Sequence, residues 1–502
     1  IIREATTGIE DLNKRYRSRY GDKFFMLHRE RLWNEAEGVW MGWERKRGKL
    51  EEFNRLLCRD SAETTYMYTA GNFSESIEKQ RVRYVITLDQ DTRMPPDSAR
   101  NLVRTIAHPL NRARYDETRG RITGGYGIIQ PRISIPPESA RKTWFSRIFS
   151  GNVGLDPYST AVSDIYQDLA GEAVFVGKGI YDAAAFHKVL SGKFPENRIL
   201  SHDLIESTYL RAGLATDIEL FDDYPSSYLS YSKRSHRWIR GDWQIAAWLL
   251  PRVPAKQGKE KNCINLLSKW KIFDNLRRSL NPFFLTVFFV TGWFFLPGSA
   301  WLWTLAALGI LAFPIYVSLS SDIMNRPARV RWKLYIDKIR ANLKLNSLQS
   351  LFVIIILPHQ AWNQLDAILR SLYRLTVSGK NLLEWSSASH TEIKTQNTFR
   401  DYALKNAVSI ILGLSLLPAS IIVNPSYLWV VVPFFVLWTG APYFLWKASQ
   451  PVEPKKAGFD VHEINKLRIY SRMTWAYFQR VVNRENFWRP PDNYQEDPAI
   501  TL

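Results

Sequence analysis

Hydrophobic and polar positions are distributed unevenly along the 502 residues. In the first half, short apolar runs alternate with polar stretches that have helical spacing. This alternation predicts an α/β domain over residues 1–275. The predicted helices lie at 1–20, 44–57, 97–107 and 204–212, and the predicted strands at 23–28, from 84, within 121–135, at 169–176 and at 215–220.

Two long runs in the second half contain no Asp, Glu, Lys or Arg. They span 279–321 and 406–446, and they are interrupted by Pro297-Gly298-Ser299 and Asn424-Pro425-Ser426, respectively. At about 1.5 Å per residue, each run is roughly twice the ~30 Å hydrocarbon core of a bilayer. We therefore predict two helical hairpins with four membrane spans, inside an α-helical transmembrane and interfacial region at 276–450.

A third uncharged run, 345–365, has a shorter apolar centre. Basic residues flank it on both sides, among them Lys338 and Lys344 before it and Arg370 and Arg374 after it. Cytoplasmic loops of membrane proteins carry such an excess of basic residues. We expect both flanks on the cytoplasmic side, so this segment should re-enter the membrane or lie along its interface rather than cross the bilayer. Residues 451–502 should form a helix at 461–482 and then a linker.

The formal net charge of +19 changes this picture little. Nucleic-acid binding is not expected, because no recognition motif accompanies the charge. Basic loops beside membrane spans and a site for an anionic diphosphate explain the charge. The two cysteines, Cys58 and Cys263, are far apart and form no metal-ligand pair. They fit a reducing cytosol better than a disulfide framework.

Candidate chemistry begins at residues 84–91, Tyr-Val-Ile-Thr-Leu-Asp-Gln-Asp. Side chains two apart on a strand face the same way, so Asp89 and Asp91 should present oxygens to one spot at its carboxyl end. Two carboxylates there suit Mg²⁺ or Mn²⁺, which completes its coordination with substrate phosphates. An Asp-x-Asp is also common in solvated loops and helix caps, so the metal interpretation depends on other motifs.

Two basic or glycine-containing segments add to the pattern. Lys46 and Lys49 belong to a Lys-Arg-Gly-Lys turn at a helix start that also includes Asn54, which indicates an anion site or a solvated basic helix. Gly177-Lys178-Gly179 permits close approach of the backbone, although a Gly-x-Gly alone is weak evidence.

Two further segments carry polar and aromatic side chains. Ser201-His202-Asp203 lies at a loop-to-helix transition, where Asp203 is either a helix cap or a catalytic base. Arg234, Arg237 and Trp238 follow. Arginine binds phosphate with a two-pronged guanidinium, and tryptophan offers a flat apolar face to a sugar ring. The alternative for this segment is a basic, aromatic belt at a membrane interface.

Together these motifs resemble the processive, inverting family 2 glycosyltransferases, the group that includes cellulose synthase. That group combines a Lys-rich turn with a downstream Asn, an Asp-x-Asp, a Thr/Ser-x-Asp base, and Gln/Arg-x-x-Arg-Trp before membrane helices. This sequence departs from cellulose synthases by Arg234 in place of Gln and by Ser-His-Asp in place of Thr-Glu-Asp. The resemblance implies a GT-A-like α/β catalytic domain followed by transmembrane helices.

A closer resemblance is to the family 84 glycosyltransferase domain of cyclic β-1,2-glucan synthases. The stretches that carry it are 40–49, 127–132, 177–182, 237–244, 357–362, 382–385 and the tail 490–498. It implies UDP-glucose as donor, a growing β-1,2-glucan as acceptor, membrane lipid around the helices, and a phosphorylase-like domain after the tail. It also implies a multi-pass protein of the bacterial inner membrane with a cytoplasmic catalytic domain.

The resemblance implies a role for each candidate residue. Asp91, with help from Asp89, would hold Mg²⁺ or Mn²⁺, and Asp203 would be the catalytic base. The donor would bind to Lys46, Lys49, Asn54, Arg234 and Arg237, and the acceptor to Trp238, Gly177 and Lys178. Two alternatives stay open: a synthase of another polysaccharide, such as cellulose or hyaluronan, and a non-catalytic membrane scaffold or exporter. Ile1 also falls too late to guarantee the first strand of this fold, so we interpret the chain as a fragment.

Overall fold

The computed structural model divides the chain into two compact units, Ile1–Pro451 and Val452–Leu502. The first unit contains both the α/β part and the long apolar helices, and the predicted limits at 275 and 450 stay predictions of domain organisation. The structure describes residues 2–19, 21–60, 64–79, 82–150, 164–324, 331–385, 397–452, 459–491, 494–496 and 499–501. The predicted tail motif at 490–498 falls partly outside these residues.

Helices and strands alternate up to about residue 261, and helices dominate afterwards. The helices are α1 Ile2–Arg15, α2 Arg45–Cys58, α3 Phe73–Lys79, α4 Ser98–Ala107, α5 Pro137–Ala140, α6 Trp144–Phe149, α7 Ile165–Ala170, α8 Ala183–Leu190, α9 Asp203–Leu210, α10 Tyr228–Gln244, α11 Leu266–Phe294, α12 Ala300–Leu311, α13 Phe313–Met324, α14 Trp332–Tyr373, α15 Phe399–Lys405, α16 Ala407–Val423, α17 Leu428–Thr439, α18 Ala441–Ala448 and α19 Val461–Val481. The strands are β1 Met26–Arg29, β2 Leu32–Asn34, β3 Val39–Met41, β4 Tyr66–Ala70, β5 Tyr84–Thr87, β6 Arg114–Asp116, β7 Arg121–Gly124, β8 Ile128–Ser134, β9 Gly179–Asp182, β10 Ala212–Phe221, β11 Arg252–Ala255, β12 Gly258–Lys261, β13 Tyr494–Glu496 and β14 Ala499–Thr501.

A four-stranded sheet in the order β10-β8-β9-β5 forms the centre of the α/β part. Strands β8 and β10 are parallel, whereas β9 runs antiparallel to both β8 and β5. Thr87 at the end of β5 therefore pairs with Gly179 at the start of β9. The carboxyl ends of β5 and β10 and the amino end of β9 consequently lie at the same edge of the sheet.

The core lies on both faces of this sheet. On one face, Leu102 and Ile106 of α4 pack against Ile180. On the other face, Tyr181 packs in a cluster with Phe186 of α8. Ile180 and Tyr181 are neighbours on one strand, so the alternation of side chains sends them to opposite faces. This arrangement confirms the predicted mixed α/β character, while a GT-A-like fold stays a prediction.

The predicted strand at 169–176 is wrong. Asp164 caps helix α7 by accepting a hydrogen bond from the backbone N of Tyr166 at 2.7 Å, and Gly171 ends that helix with a φ of +65°. The following segment makes only scattered bonds, such as that from Val176 N to Oε1 of Gln130 at 2.9 Å. It therefore joins no ladder, and the next strand, β9, begins only at Gly179.

The apolar runs break where the sequence predicts, since α11 and α12 flank 297–299 and a break at 424–426 separates α16 from α17. Among the described residues, one helix is long and apolar enough to cross a membrane: α14 together with the turns that follow it, over Tyr335–Ser378. If each of three bent pairs of helices is counted as one span, that number rises to four. That helix contains the run 345–365 without interruption, so the predicted re-entrant turn is wrong. Its position along a membrane interface stays a prediction.

Helix α14 packs against the α/β part through a ladder of polar contacts with α10. The bonds join His359 Nδ1 and Tyr228 OH at 2.6 Å, Asn363 Nδ2 and Ser232 O at 3.2 Å, Asp366 Oδ2 and His236 Nε2 at 2.9 Å, and Ser371 Oγ and Arg240 O at 3.0 Å. Further towards its amino end, Gln349 donates to the carbonyl of Ile148 in α6 at 2.6 Å. These contacts fix the long apolar helix beside the helix that carries the Arg-x-x-Arg-Trp motif.

Candidate functional site

A cleft of about 1370 Å³ opens at the edge of the sheet where β5 and β10 end and β9 begins. Helices α2, α9 and α10 contribute side chains to its walls, and α11 and α14 extend it. The cleft brings together most of the candidate residues, which lie far apart in the sequence. Those that line it are Lys46, Lys49, Asp89, Asp91, Lys178, Asp203, Arg234, Arg237 and Trp238.

Helix α2 enters the cleft through a tight turn. Glu44 and Arg45 precede or open the helix with φ values of +49° and +51°, in the left-handed region. Only glycine fits at position 48 in this turn, because a Cβ there would lie 2.1 Å from the carbonyl oxygen of Trp43. The basic turn is thus folded back on itself, which orients Lys46 and Lys49 towards the cleft instead of towards open solvent.

Asp89 is paired with two lysines. Its Oδ1 lies 2.6 Å from Nζ of Lys46 and its Oδ2 lies 3.3 Å from Nζ of Lys178. Burial alone would raise the pKa of Asp89, but the two ammonium groups outweigh it and lower the pKa. Lys178 also pairs with Asp222 at the end of β10. The antiparallel direction of β9 explains these contacts, since it delivers Lys178 to the ends of β5 and β10.

Asp91 lies in the turn that follows Asp89, because β5 already ends at Thr87. The expectation that strand alternation aligns the two carboxylates is therefore wrong, although both side chains line the same cleft. Within the described part of the chain, the side chain of Asp91 makes no hydrogen bond or ion pair. Asp91 is thus the carboxylate that is left available for a cation, whereas Asp89 is already neutralised by Lys46 and Lys178.

Asp203 is the first residue of α9, and no side chain caps that helix. The alternative role of Asp203 as a helix cap is therefore wrong. Its Oδ1 is buried and has no hydrogen-bond partner among the described residues. Nζ of Lys46 donates to the carbonyl of Gly177 at 2.9 Å, next to Asp203. Burial alone would lower the pKa of Lys46, but the charges of Asp203 and Asp89 raise it.

His202 and Glu206 form a buried pair next to Asp203 that the sequence does not reveal. Nδ1 of His202 lies 2.9 Å from Oε1 of Glu206 and 3.6 Å from Oδ1 of Asp203, and these groups could also serve as a trio of metal ligands. Burial alone would lower the pKa of His202, but the two carboxylates raise it. The ring of His202 thus turns towards the first turn of α9.

The motif on α10 presents two cations and a ring to the cleft. The guanidinium of Arg234 lies 4.8 Å from the ring centre of Trp238, and that of Arg237 lies 5.8 Å from the ring of Trp385. Burial, reinforced by Arg234 and Arg240, lowers the pKa of Arg237 to about 10, although Asp89 and Asp91 oppose the shift. Arg237 therefore stays charged at neutral pH in an environment where additional negative charge is favourable.

The segment 382–385 closes one side of the cleft, and the sequence gives it no role. Leu383 donates its N–H to Oε1 of Glu37 at 2.7 Å and accepts from Nε of Arg45 at 2.5 Å. Oε2 of Glu384 accepts from Arg240 at 3.0 Å and from Arg374 at 2.8 Å. A Leu-Leu-Glu-Trp segment after a basic helix end is the signal that would have indicated it.

The lining of the cleft differs from the predicted set of residues at Asn54, Gly177 and Asp222. Asn54 does not line the cleft; it is buried in α2, where it donates to Tyr181 OH at 3.0 Å. Gly177 does not line the cleft either, but it lies against Asp203. Asp222 also lines the cleft and was not predicted, although an acidic residue directly after a strand is the same signal that identifies Asp89.

The fold and the cleft define a mixed α/β unit joined to long apolar helices, with acidic, basic and aromatic side chains gathered in a single cleft. No protein-family profile matches the chain. The whole chain is 38% identical, over 505 aligned residues, to the cyclic β-(1,2)-glucan synthase NdvB of Rhizobium meliloti (strain 1021), and it covers 17% of that protein's length. This match confirms the predicted resemblance: the chain is related to one segment of a cyclic β-glucan synthase. The family 84 glycosyltransferase assignment is consistent with it.

Proposed function

We propose that this chain is the glucosyltransferase segment of a cyclic β-1,2-glucan synthase and that it elongates a linear glucan from UDP-glucose with inversion. The relative's printed name supports glucan synthesis. The observation that carries the proposal is the meeting of Asp91, Asp203 and Trp238 in one cleft with basic side chains, among them those of Lys46, Lys49, Lys178, Arg234 and Arg237. That combination can bind a diphosphate, remove a proton from an alcohol and stack against a sugar ring.

The donor diphosphate would bind to the basic side chains. Lys49, Arg234 and Arg237 line the cleft, and burial lowers the pKa of each. A buried cation with a lowered pKa gains more from an anionic partner than a solvated one does. Lys46 and Lys178 would contribute as well, after exchanging part of their contact with Asp89 for the phosphates. Asn54 has no place in this proposal, because it lies outside the cleft.

A divalent cation fits the cleft in part. Asp91 supplies a carboxylate without a described partner, and Mg²⁺ or Mn²⁺ often uses only one or two carboxylates besides substrate phosphates. When bound, the cation would neutralise charge on the leaving UDP. The trio of His202, Asp203 and Glu206 is the weaker candidate, because Nδ1 of His202 already faces Glu206 at 2.9 Å.

Asp203 would act as the general base. Its carboxylate accepts the proton of the acceptor's 2-hydroxyl while that oxygen attacks the anomeric carbon of glucose. A new C–O bond forms, the bond to UDP breaks, and UDP leaves with the electron pair. One displacement of this kind turns an α-linked donor into a β-linked product. The side chain of Asp203 lines the cleft and is 31% exposed, so its carboxylate can meet a hydroxyl group that binds there.

Trp238 would form a platform for the acceptor sugar. Its ring lines the cleft and lies against the guanidinium of Arg234, which holds it in place. Gly177, assigned to acceptor binding by the sequence motif, would instead provide room for Asp203. Lys178 would act through its ion pairs with Asp89 and Asp222.

The remaining parts of the proposal concern the surroundings of the enzyme. The long apolar helices support a multi-pass position in the bacterial inner membrane, in contact with lipid and with the cleft on the cytoplasmic side. Because the curated relative is much longer than this chain, a phosphorylase-like domain in the same polypeptide fits as a partner.

UDP release from UDP-glucose in membranes that contain the full-length protein tests the proposal. We expect release that depends on a divalent cation, and linkage analysis should find β-1,2 bonds. Asp91→Ala should abolish release, whereas Asp97→Ala, an exposed acid further along the same loop, should not. Release that survives Asp91→Ala or a chelator would count against the metal site. Another linkage would indicate a different polysaccharide synthase, and no release by the unmodified protein would indicate a scaffold.

A further inference from the structure

The cleft is larger than the proposed donor site requires. Pockets for small ligands typically measure roughly 300–1000 Å³, whereas this cleft measures about 1370 Å³. Two long helices that the proposed mechanism does not use also border the cleft. Asn275 and Ser279 of α11 and Gln360 and Gln364 of α14 line it.

The contacts of α14 explain why its two glutamines face the cleft. His359 and Asn363 hold α14 against α10 through their bonds to Tyr228 and Ser232. Gln360 and Gln364 each follow one of these residues by a single position, which rotates the side chain by about 100° around the helix. Because the two glutamines are four residues apart, they lie on one face, one turn above the other.

Gln364 carries the observation that points to a ligand. Its side chain is only 6% exposed, and its Oε1 has no hydrogen-bond partner among the residues that the structure describes. A buried amide oxygen without a partner destabilises a folded protein. A ligand hydroxyl that enters the cleft would supply the missing donor.

Two polar groups of α11 that line the same cleft are held in position by contacts with α10. Asn275 donates to Oδ1 of Asp242 at 3.3 Å, and Oγ of Ser279 accepts from Nε1 of Trp243 at 3.0 Å. Amides and hydroxyls of this kind bind sugar hydroxyls, which both donate and accept hydrogen bonds. Lys271 and Arg278 of α11 also line the cleft, but Lys271 bonds to the carbonyl of Ala173 and Arg278 pairs with Asp274. The amides and the hydroxyl therefore suit the hydroxyl groups of a sugar chain.

We propose that Gln360 and Gln364 of α14, together with Asn275 of α11, form a second acceptor subsite, which holds glucose units of the linear glucan further from the reacting end than Trp238. The inference rests on the proposed function, because it takes the ligand to be the growing glucan. The subsite would retain the chain between additions, so it would set processivity rather than the chemistry of each step.

The test uses the full-length protein, purified in detergent, and linear β-1,2-linked gluco-oligosaccharides of graded length, without any donor. We expect Gln364→Leu to weaken binding of the longer oligosaccharides roughly three- to tenfold, the loss of about one hydrogen bond. Binding of UDP should be unchanged. The thermal midpoint should be unchanged or higher, because leucine fills the site without an unpaired polar atom. Glucan made from UDP-glucose should become shorter.

Gln349→Leu is the matched control, since Gln349 is another buried glutamine of α14 and bonds to Ile148 rather than facing the cleft. It should lower the thermal midpoint and leave oligosaccharide affinity unchanged. Gln360 is only half-buried, so Gln360→Ala provides a second variant that should fold without disturbing the core. Unchanged oligosaccharide affinity in both Gln364→Leu and Gln360→Ala would overturn the subsite. Because binding is measured without donor, this result is independent of whether UDP-glucose is the substrate.

Discussion

At the scale of single residues, lysines connect the acids of the cleft. Lys46 lies between Asp89 and the carbonyl next to Asp203, and Lys178 lies between Asp89 and Asp222. Asp89 and Asp222 are thus held in lysine ion pairs, whereas Asp203 has its nearest charged neighbour in His202, whose Nδ1 lies 3.6 Å from Oδ1. The two acids that remain without a hydrogen-bond partner at the relevant oxygen are the two to which we assign chemistry.

Asp203 provides the sharpest test at this scale. Asn has nearly the same shape and caps helices as well as Asp, but it cannot accept a proton. We expect Asp203→Asn to lower the transfer rate by about 10²–10⁴-fold, or about 3–5 kcal/mol of barrier, with UDP affinity retained.

Asp164→Asn is the control for Asp203→Asn, because Asp164 is a true cap of α7. It should leave rate and stability nearly unchanged. Glucan synthesis at the normal rate by Asp203→Asn would make Glu206 or His202 the next candidate for the base.

His202 predicts a dependence of stability on pH. Burial alone would lower its pKa, but Glu206 and Asp203 raise it above 6.5, with Lys46 opposing. A raised pKa in the folded state means that protonated His202 stabilises the fold. This contribution is complete below about pH 6.5 and disappears as the pH rises through the raised value.

Thermal unfolding of the unmodified protein and of His202→Asn, from about pH 5 to about pH 9, measures this contribution. The difference between the two midpoints should be largest at the acidic end and should shrink as the pH rises. A difference that does not change with pH would show that His202 is neutral throughout.

At the scale of elements, Gly177 controls the distance between the segment before β9 and the start of α9. It has a φ of +86°, and a Cβ at this position would lie 2.7 Å from Oδ1 of Asp203. The glycine therefore serves two needs: a left-handed backbone and room for the carboxylate. In the proposed mechanism, Gly177 would act indirectly, through the position of Asp203.

We expect Gly177→Ala to destabilise the fold by about 1 kcal/mol or more. It should also lower the transfer rate by about 10²-fold, because a displacement of the base of about 1 Å can have that effect. Gly258→Ala is the control, since Gly258 has a φ of +97° and no atom near its Cβ position. It should show only the loss of stability, and an equal loss of rate in both variants would contradict the assigned role of Gly177.

Elements were predictable where local patterns decide them. The helix at 44–57 and the strand from 84 follow from side-chain spacing, and the breaks at 297–299 and 424–426 follow from Pro, Gly and Asn. The strand at 169–176 was mispredicted because Asp164 and Gly171 cap a short helix there. The pairing of Lys178 with Asp89 and Asp222 could not be predicted, because it depends on the direction of β9 in the sheet. The contacts of Trp385 depend on a loop far along the chain.

At the scale of the whole molecule, α14 lies along the α/β part rather than projecting away from it. It contacts this part from Gln349, which bonds to Ile148, to Ser371, which bonds to Arg240. At about 1.5 Å per residue, this stretch is roughly 33 Å long, about the thickness of a hydrocarbon core. Attachment to a globular unit over such a length favours a helix that does not cross the bilayer.

We therefore expect both ends of α14 on the cytoplasmic side, as the basic residues around 345–365 also indicate. Cysteines introduced at Lys333 and Lys380, after replacement of Cys58 and Cys263 by Ser, should both resist a membrane-impermeant reagent in intact cells. Both should react once the membrane is made permeable. Labelling of one position from outside would show that α14 crosses the membrane and would overturn this topology.

The contacts between Arg45 and Leu383 and between Glu37 and Leu383 have a consequence for the order of events during synthesis. At about 5–20 residues per second, a ribosome needs roughly 20–70 s to travel from one partner to the other. This side of the cleft is incomplete during this interval, in which the apolar run 279–321 and α14 are made. A nascent chain can therefore close this side of the cleft only after α11 to α14 have been synthesised, whereas the second apolar run, 406–446, is made later.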